Sequence, residues 1–195
     1  MIDAYDVTKF DRTPAELEEY FLFCVAVAGK KATVVASKLD DFLSGAMPGE
    51  SPFAYVRRLQ GEGRLLERLV EVRMGKYSLL CRAWAAAALL PDLASATVDE
   101  LEALPGVGQK TARFFVLHTR KDAKVAVIDT HVLKFLRHRG HRVPKGFPGP
   151  REYVRLEAIM LDEVAASGME PADFDLAVWA HYASNGASPL PGLAA

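Results

Sequence analysis

The apolar positions of this 195-residue chain fall into helix-length stretches separated by Gly, Pro and charged residues. Thr13, Pro14 and Glu16 form a helix-start signature, with a capping box and a proline in the first turn. An apolar helix then covers residues 20–28, and Gly29 ends or bends it. A second helical pattern runs over 32–42. Residues 44–52 hold two Gly and two Pro and read as a loop. A short helix is expected at 53–59. Gly61 and Gly63 break the chain before a helix at 65–72. After Gly75 an alanine-rich helix runs over 77–90 and stops at Pro91. Thr97 and Glu100 make a second capping box, followed by Leu101 and Leu104, and an apolar helix is expected at 111–118. Residues 125–128, Val-Ala-Val-Ile, are β-prone but only four long, so they read as an extended approach to a helix beginning near Thr130. The Gly- and Pro-rich stretch 140–150 is a loop, two helices follow near 151–166 and 171–184, and the tail 185–195 is expected to be poorly ordered. No internal repeat occurs at solenoid spacing. The fold class expected is all-α.

Charge adds a second feature. The formal net charge is −1, yet residues 101–150 carry ten Lys/Arg against three Asp/Glu. A basic segment within a near-neutral chain suits a phosphate partner, or else is a solvated face. Cys24 and Cys81 lie far apart in apolar surroundings and read as free thiols. No apolar run reaches membrane-spanning length and the N-terminal stretch lacks a signal-peptide pattern, so a cytoplasmic protein is expected.

The most informative segment is Leu104-Pro105-Gly106-Val107-Gly108-Gln109-Lys110-Thr111-Ala112. Proline disfavours helix in the residue before it, so a helix ends before Pro105. Gly106 and Gly108 allow a tight turn and leave the backbone bare. Their amides, with those opening the next helix, then face outward as an anion site. Gln109 and Thr111 are candidate donors to the same phosphate. Taken alone, the glycines also fit an ordinary turn between helices.

The hairpin LPGVGQKTA, followed by Val127-Ile128-Asp129-Thr130-His131, resembles the helix-hairpin-helix DNA glycosylases, which include endonuclease III and the 8-oxoguanine glycosylases. The step from Lys110 to Asp129 is 19 residues, close to the family pattern, and the likeness extends over about residues 20–184. It implies two helical lobes flanking a DNA-binding cleft, with the helix-hairpin-helix motif at about 97–118. One lobe would comprise 20–135 and the other 1–19 with 136–195. It also implies a monomer acting on double-stranded DNA that bears a damaged or modified base or an abasic site.

The resemblance assigns Lys110 to attack C1′ of a flipped nucleotide, giving base excision with AP lyase activity. An amine does this only when neutral, a state favoured by desolvation and neighbouring positive charge. Asp129 would stabilise charge on the sugar, a role compatible with capping the helix from Thr130. A simple phosphate contact is the alternative for Lys110. His131 would contact phosphate or pack behind the site. The turn containing Lys30 and Lys31 matches the place where the family fills the gap left by the flipped base, so Lys31 inserts or the two lysines face phosphate. Phe114, Trp179, His181 and Tyr182 are base-pocket candidates, since flipped bases stack on such rings. Main-chain carbonyls of Glu102, Leu104 and Val107 would hold a monovalent cation. No cysteine follows Cys81, so the iron–sulfur cluster of some relatives is not expected, and no other cofactor is needed. Two other readings stand beside this one: a same-scaffold enzyme that processes hypermodified bases or acts as an AP lyase only, and a non-catalytic DNA-binding module.

Overall fold

The computed structural model describes residues 2, 3 and 7–184, and the tail 185–195 lies outside them. Every regular element among the described residues is a helix, in agreement with the all-α expectation. They are α1 Pro14–Val27, α2 Ala32–Leu43, α3 Pro52–Gly61, α4 Leu65–Glu71, α5 Tyr77–Ala87, α6 Val98–Glu102, α7 Gln109–Thr119, α8 Thr130–His138, α9 Pro150–Ser167 and α10 Pro171–Ala183. None is long and apolar enough to cross a membrane. The chain forms two compact units, Met1–Phe115 and Val116–Ala195, whose boundary falls within α7.

In the first unit α1 is the central element. Its residues from Tyr20 to Ala26 are buried without interruption, as expected of a helix that is apolar on all sides. It packs against α2, α3 and α5. The Phe21 ring meets Phe115 edge-on at 5.2 Å and Phe53 at 6.4 Å, while Phe42 meets Trp84 at 5.0 Å. The capping box at Thr13 and Glu16 forms as expected. Glu18, one turn into α1, accepts the Phe53 amide at 2.9 Å, which ties the start of α3 to α1 and satisfies one of its orphan donors.

Two boundaries differ from the sequence expectation for local reasons. Helix α5 closes at Ala87, short of residue 90. The amides of Leu89 and Leu90 turn back to the carbonyls of Ala86 and Ala87, tightening the chain ahead of Pro91. Helix α7 opens at Gln109 instead of Thr111, because the Gly108 carbonyl already accepts the Ala112 amide at 3.1 Å. Lys110 therefore lies in the first helical turn.

The second unit has its own core, formed by Ile128, Val132, Phe135, Leu136, Tyr153, Leu156, Met160, Phe174 and Val178 among others. Helix α10 packs on α8 and α9, and Phe135 meets Phe174 edge-on at 5.6 Å. Gly168 ends α9 with φ +70, and Pro171 opens α10. Residues 125–128 belong to no regular element and lead directly into α8.

Candidate active site

The hairpin is built from the end of α6, a turn and the start of α7. Thr97 and Glu100 cap α6 reciprocally. The chain then curls, with Leu104 donating to the Leu101 carbonyl at 3.2 Å and Val107 to the Leu104 carbonyl at 3.1 Å. Gly106 has φ +81 and a Cβ there would lie 2.9 Å from Cγ of Leu79, so both backbone and packing require glycine. Gly108 is different. Its φ is not positive, and an added Cβ would meet no protein atom within 4 Å. Among the described residues nothing demands glycine at 108, and the residue stands exposed at the mouth of α7. Gln109, Lys110 and Thr111 follow it half-buried. Arg113, one turn on, is 8% exposed and forms an ion pair with Glu102, bracing α7 against α6.

The cation expectation rests on the carbonyls of Glu102, Leu104 and Val107. They lie on this one turn, and neutral oxygens are the donors hard cations take. The Leu104 carbonyl spends one lone pair on Val107 and keeps the other. Among the described residues no cluster of His, Cys, Asp or Glu could hold a metal.

Asp129 is the N-cap of α8. Its Oδ1 accepts the amides of His131 at 2.8 Å and Val132 at 2.9 Å, as a short acidic side chain at an N-cap should. Both bonds fall on one oxygen, and Oδ2 has no hydrogen-bond partner among the described residues. His131 packs its ring edge-on against Trp179 at 6.2 Å, and its Nδ1 is buried without a partner. Trp179 itself is half exposed.

The remaining expected residues fall in several places. Phe114 is half-buried, with its ring 6.3 Å from that of Tyr20. His181 meets Tyr182 edge-on at 4.7 Å, and the Tyr182 hydroxyl lies 2.9 Å from Nδ1 of His138. Trp179, His181 and Tyr182 thus share the last turns of α10. Lys30 and Lys31 behave differently from each other. Lys30 donates to the Met74 carbonyl, and its pKa is lowered by burial and then by the charges of Lys76 and Lys38. Lys31 is exposed at the N-cap of α2 and makes no side-chain capping bond.

Several groups were not singled out from the sequence. Lys38 and Lys76 donate to the carbonyls of Arg73 and Ala28 around a turn in which Arg73, Gly75 and Lys76 all have positive φ. His118, fully buried, has Nε2 3.4 Å from Oδ2 of Asp175. Tyr153 and Glu157 on α9 bond the backbone of residues 126 and 128. The carboxylate of Glu157 had one visible signal, since it interrupts the apolar stripe Tyr153, Leu156, Met160 and Val164. Both cysteines are free. Burial pushes the Cys24 thiol up to about 12, against weaker opposing effects from Tyr20, Arg12 and Lys110, so it stays protonated and inert.

Comparison with known proteins places these features in a wider group. Residues 90–113 match the family model of the helix-hairpin-helix motif. The whole chain is similar to the 8-oxoguanine glycosylase/lyase of Methanocaldococcus jannaschii, solved with a 15mer DNA containing 8-oxoguanine. That match has 18% identity and a TM-score of 0.64, covering 95% of this chain and 88% of that one. It is equally similar to the 8-oxoguanine DNA glycosylase of Thermotoga maritima, with 22% identity, a TM-score of 0.65 and the same coverage. The chain therefore carries a helix-hairpin-helix motif at residues 90–113 within a helical fold that it shares with these two solved structures.

Proposed function

We propose that this protein is a DNA N-glycosylase with AP lyase activity, with Lys110 as nucleophile and Asp129 as the charge-stabilising carboxylate. The observation that carries this reading is the position of Lys110. It stands in the first turn of α7, two residues after the exposed Gly108, where an added Cβ would meet no described atom within 4 Å. A phosphate approaching the Gly108 backbone would hold the DNA there without reading sequence, with a monovalent cation on the turn carbonyls adding positive charge. The fold shared with two 8-oxoguanine glycosylases supports DNA as partner and makes 8-oxoguanine the first base to test.

The neutral Nζ of Lys110 forms a bond to C1′. The C1′–N glycosidic bond breaks, and the base leaves with the electron pair and takes up a proton. The C1′–O4′ bond then breaks, O4′ leaves with the electron pair and takes a proton from solvent, and the Nζ lone pair forms the C=N bond of a protonated Schiff base. Water takes up a C2′ proton, a C2′–C3′ double bond forms as the C3′–O bond breaks, the 3′ phosphate departs with that electron pair, and a second water hydrolyses the C=N bond to release the enzyme. The Oδ2 oxygen of Asp129, unspent on capping, supplies negative charge as the sugar becomes positive.

The test uses duplexes bearing one 8-oxoguanine or one abasic site. Base release and strand nicking by the wild type support the reading. Nicking of abasic DNA without base release reduces the function to lyase alone, and DNA binding without either makes the protein a binding module.

A further inference from the structure

Residues 126–128 are buried and belong to no regular element, and no strand lies beside them among the described residues. Buried backbone amides need partners. Helix α9 supplies them with side chains. The hydroxyl of Tyr153, itself fully buried, accepts the Ile128 amide at 2.9 Å and donates to the Ala126 carbonyl at 3.4 Å. Both capacities of the phenol are used. Oε1 of Glu157 accepts the Ala126 amide at 3.0 Å. Tyr153 and Glu157 are four residues apart and so share one face of α9. Together they hold this single segment at both of its ends.

The next residue is Asp129, whose own backbone is extended, with φ −117 and ψ −173. Its carboxylate is held from the other side by the His131 and Val132 amides. We propose that Tyr153 and Glu157 are positioning residues for Asp129, taking the part that a neighbouring strand plays in a sheet. This rests on the reading of Asp129 as the carboxylate that acts at the sugar. The hydroxyl sets the height of residue 128, and the carboxylate sets the register of residue 126. A shift of the segment moves Oδ2 of Asp129 relative to the sugar, and misplacement by about 1 Å can cost about a hundredfold in rate.

The experiment measures single-turnover base release at saturating DNA, the Kd for the same duplex, and amide exchange at Ala126 and Ile128. Tyr153→Phe removes one oxygen and keeps the ring. Glu157→Leu removes the acceptor, whereas Glu157→Gln keeps a carbonyl oxygen at the same reach. The expected result is base release slowed by about tenfold to a hundredfold in Tyr153→Phe and Glu157→Leu, with Kd unchanged. Glu157→Gln restores the rate, and exchange accelerates at Ile128 in the first variant and at Ala126 in the second. Wild-type rates in both variants overturn the positioning role. So does a rate that falls only in step with lost DNA binding, which marks a merely structural part; Tyr153→Phe decides this even if Glu157→Leu does not fold. A wild type that releases no base overturns the glycosylase reading itself, and the positioning role falls with it.

Discussion

Arg113, in the first turns of α7, is paired with Glu102 at the end of α6, so the two helices of the hairpin are joined across the glycine turn by one ion pair. Arg113 is 8% exposed, and its guanidinium also reaches the Gln109 carbonyl at 3.4 Å. A charged hydrogen bond in such a site contributes about 2 kcal/mol, and breaking it strands a half-buried carboxylate. Arg113→Met is expected to lower the unfolding free energy by about that amount, measured by urea denaturation. DNA affinity should fall with it, because the turn amides lose their frame.

Gly106 and Gly108 give opposite outcomes. Gly106→Ala forces a side chain into left-handed backbone and against Leu79, which costs about 1–2 kcal/mol before any repacking. Gly108→Ala meets no protein atom and should change stability by less than about 0.5 kcal/mol. It should nonetheless weaken DNA binding by about tenfold or more, since phosphate can no longer reach the amide. Thermal melting and fluorescence anisotropy of the two variants check both halves. An undiminished affinity in Gly108→Ala would contradict the phosphate assignment.

Lys31 and Lys30 should separate in a salt titration. Lys31 is exposed and uncommitted, while Lys30 is spent on the Met74 carbonyl. Each phosphate contact adds about one to the slope of log K against log salt. Lys31→Ala is expected to lower that slope by about one, and Lys30→Met to leave it unchanged.

Cys24 supplies a pH dependence. Burial pushes its thiol from the ordinary 9.0 up to about 12. A raised pKa means the fold binds the proton more tightly than the unfolded chain. The stabilisation is complete below about pH 9 and is lost as pH rises toward 12. Between pH 8 and 10.5 the wild type should lose about 2 kcal/mol more than Cys24→Ala, from the same urea titrations at each pH. In the native state at pH 8 a thiol reagent should leave Cys24 unmodified, and equal losses in the two proteins would refute the assignment.

What the sequence made legible was local. The boxes at Thr13/Glu16 and Thr97/Glu100 are written within four residues, and so are the Gly106 turn and the Asp129 cap. What it left hidden joins distant positions. Lys30 to Met74 spans 44 residues and Glu157 to Ala126 spans 31, and no periodicity encodes such pairs. One bond hides even within the expected motif. Glu102 and Arg113 are eleven apart, and the turn that brings them together must form before the pair can be seen. Gly108 was legible as a bare-backbone position but was grouped with Gly106 in the turn, whereas its φ is not positive and no described atom lies above it.

The central claim is covalent catalysis by Lys110, and borohydride trapping tests it most directly. Wild-type protein, Lys110→Ala and Asp129→Asn are incubated with duplexes bearing an abasic site or a single 8-oxoguanine, and the Schiff base is reduced. The account predicts a covalent protein–DNA adduct with the wild type whose peptide map places the bond at Lys110, and no adduct with Lys110→Ala. A wild type that traps on neither duplex, or an adduct that persists undiminished in Lys110→Ala, would contradict it.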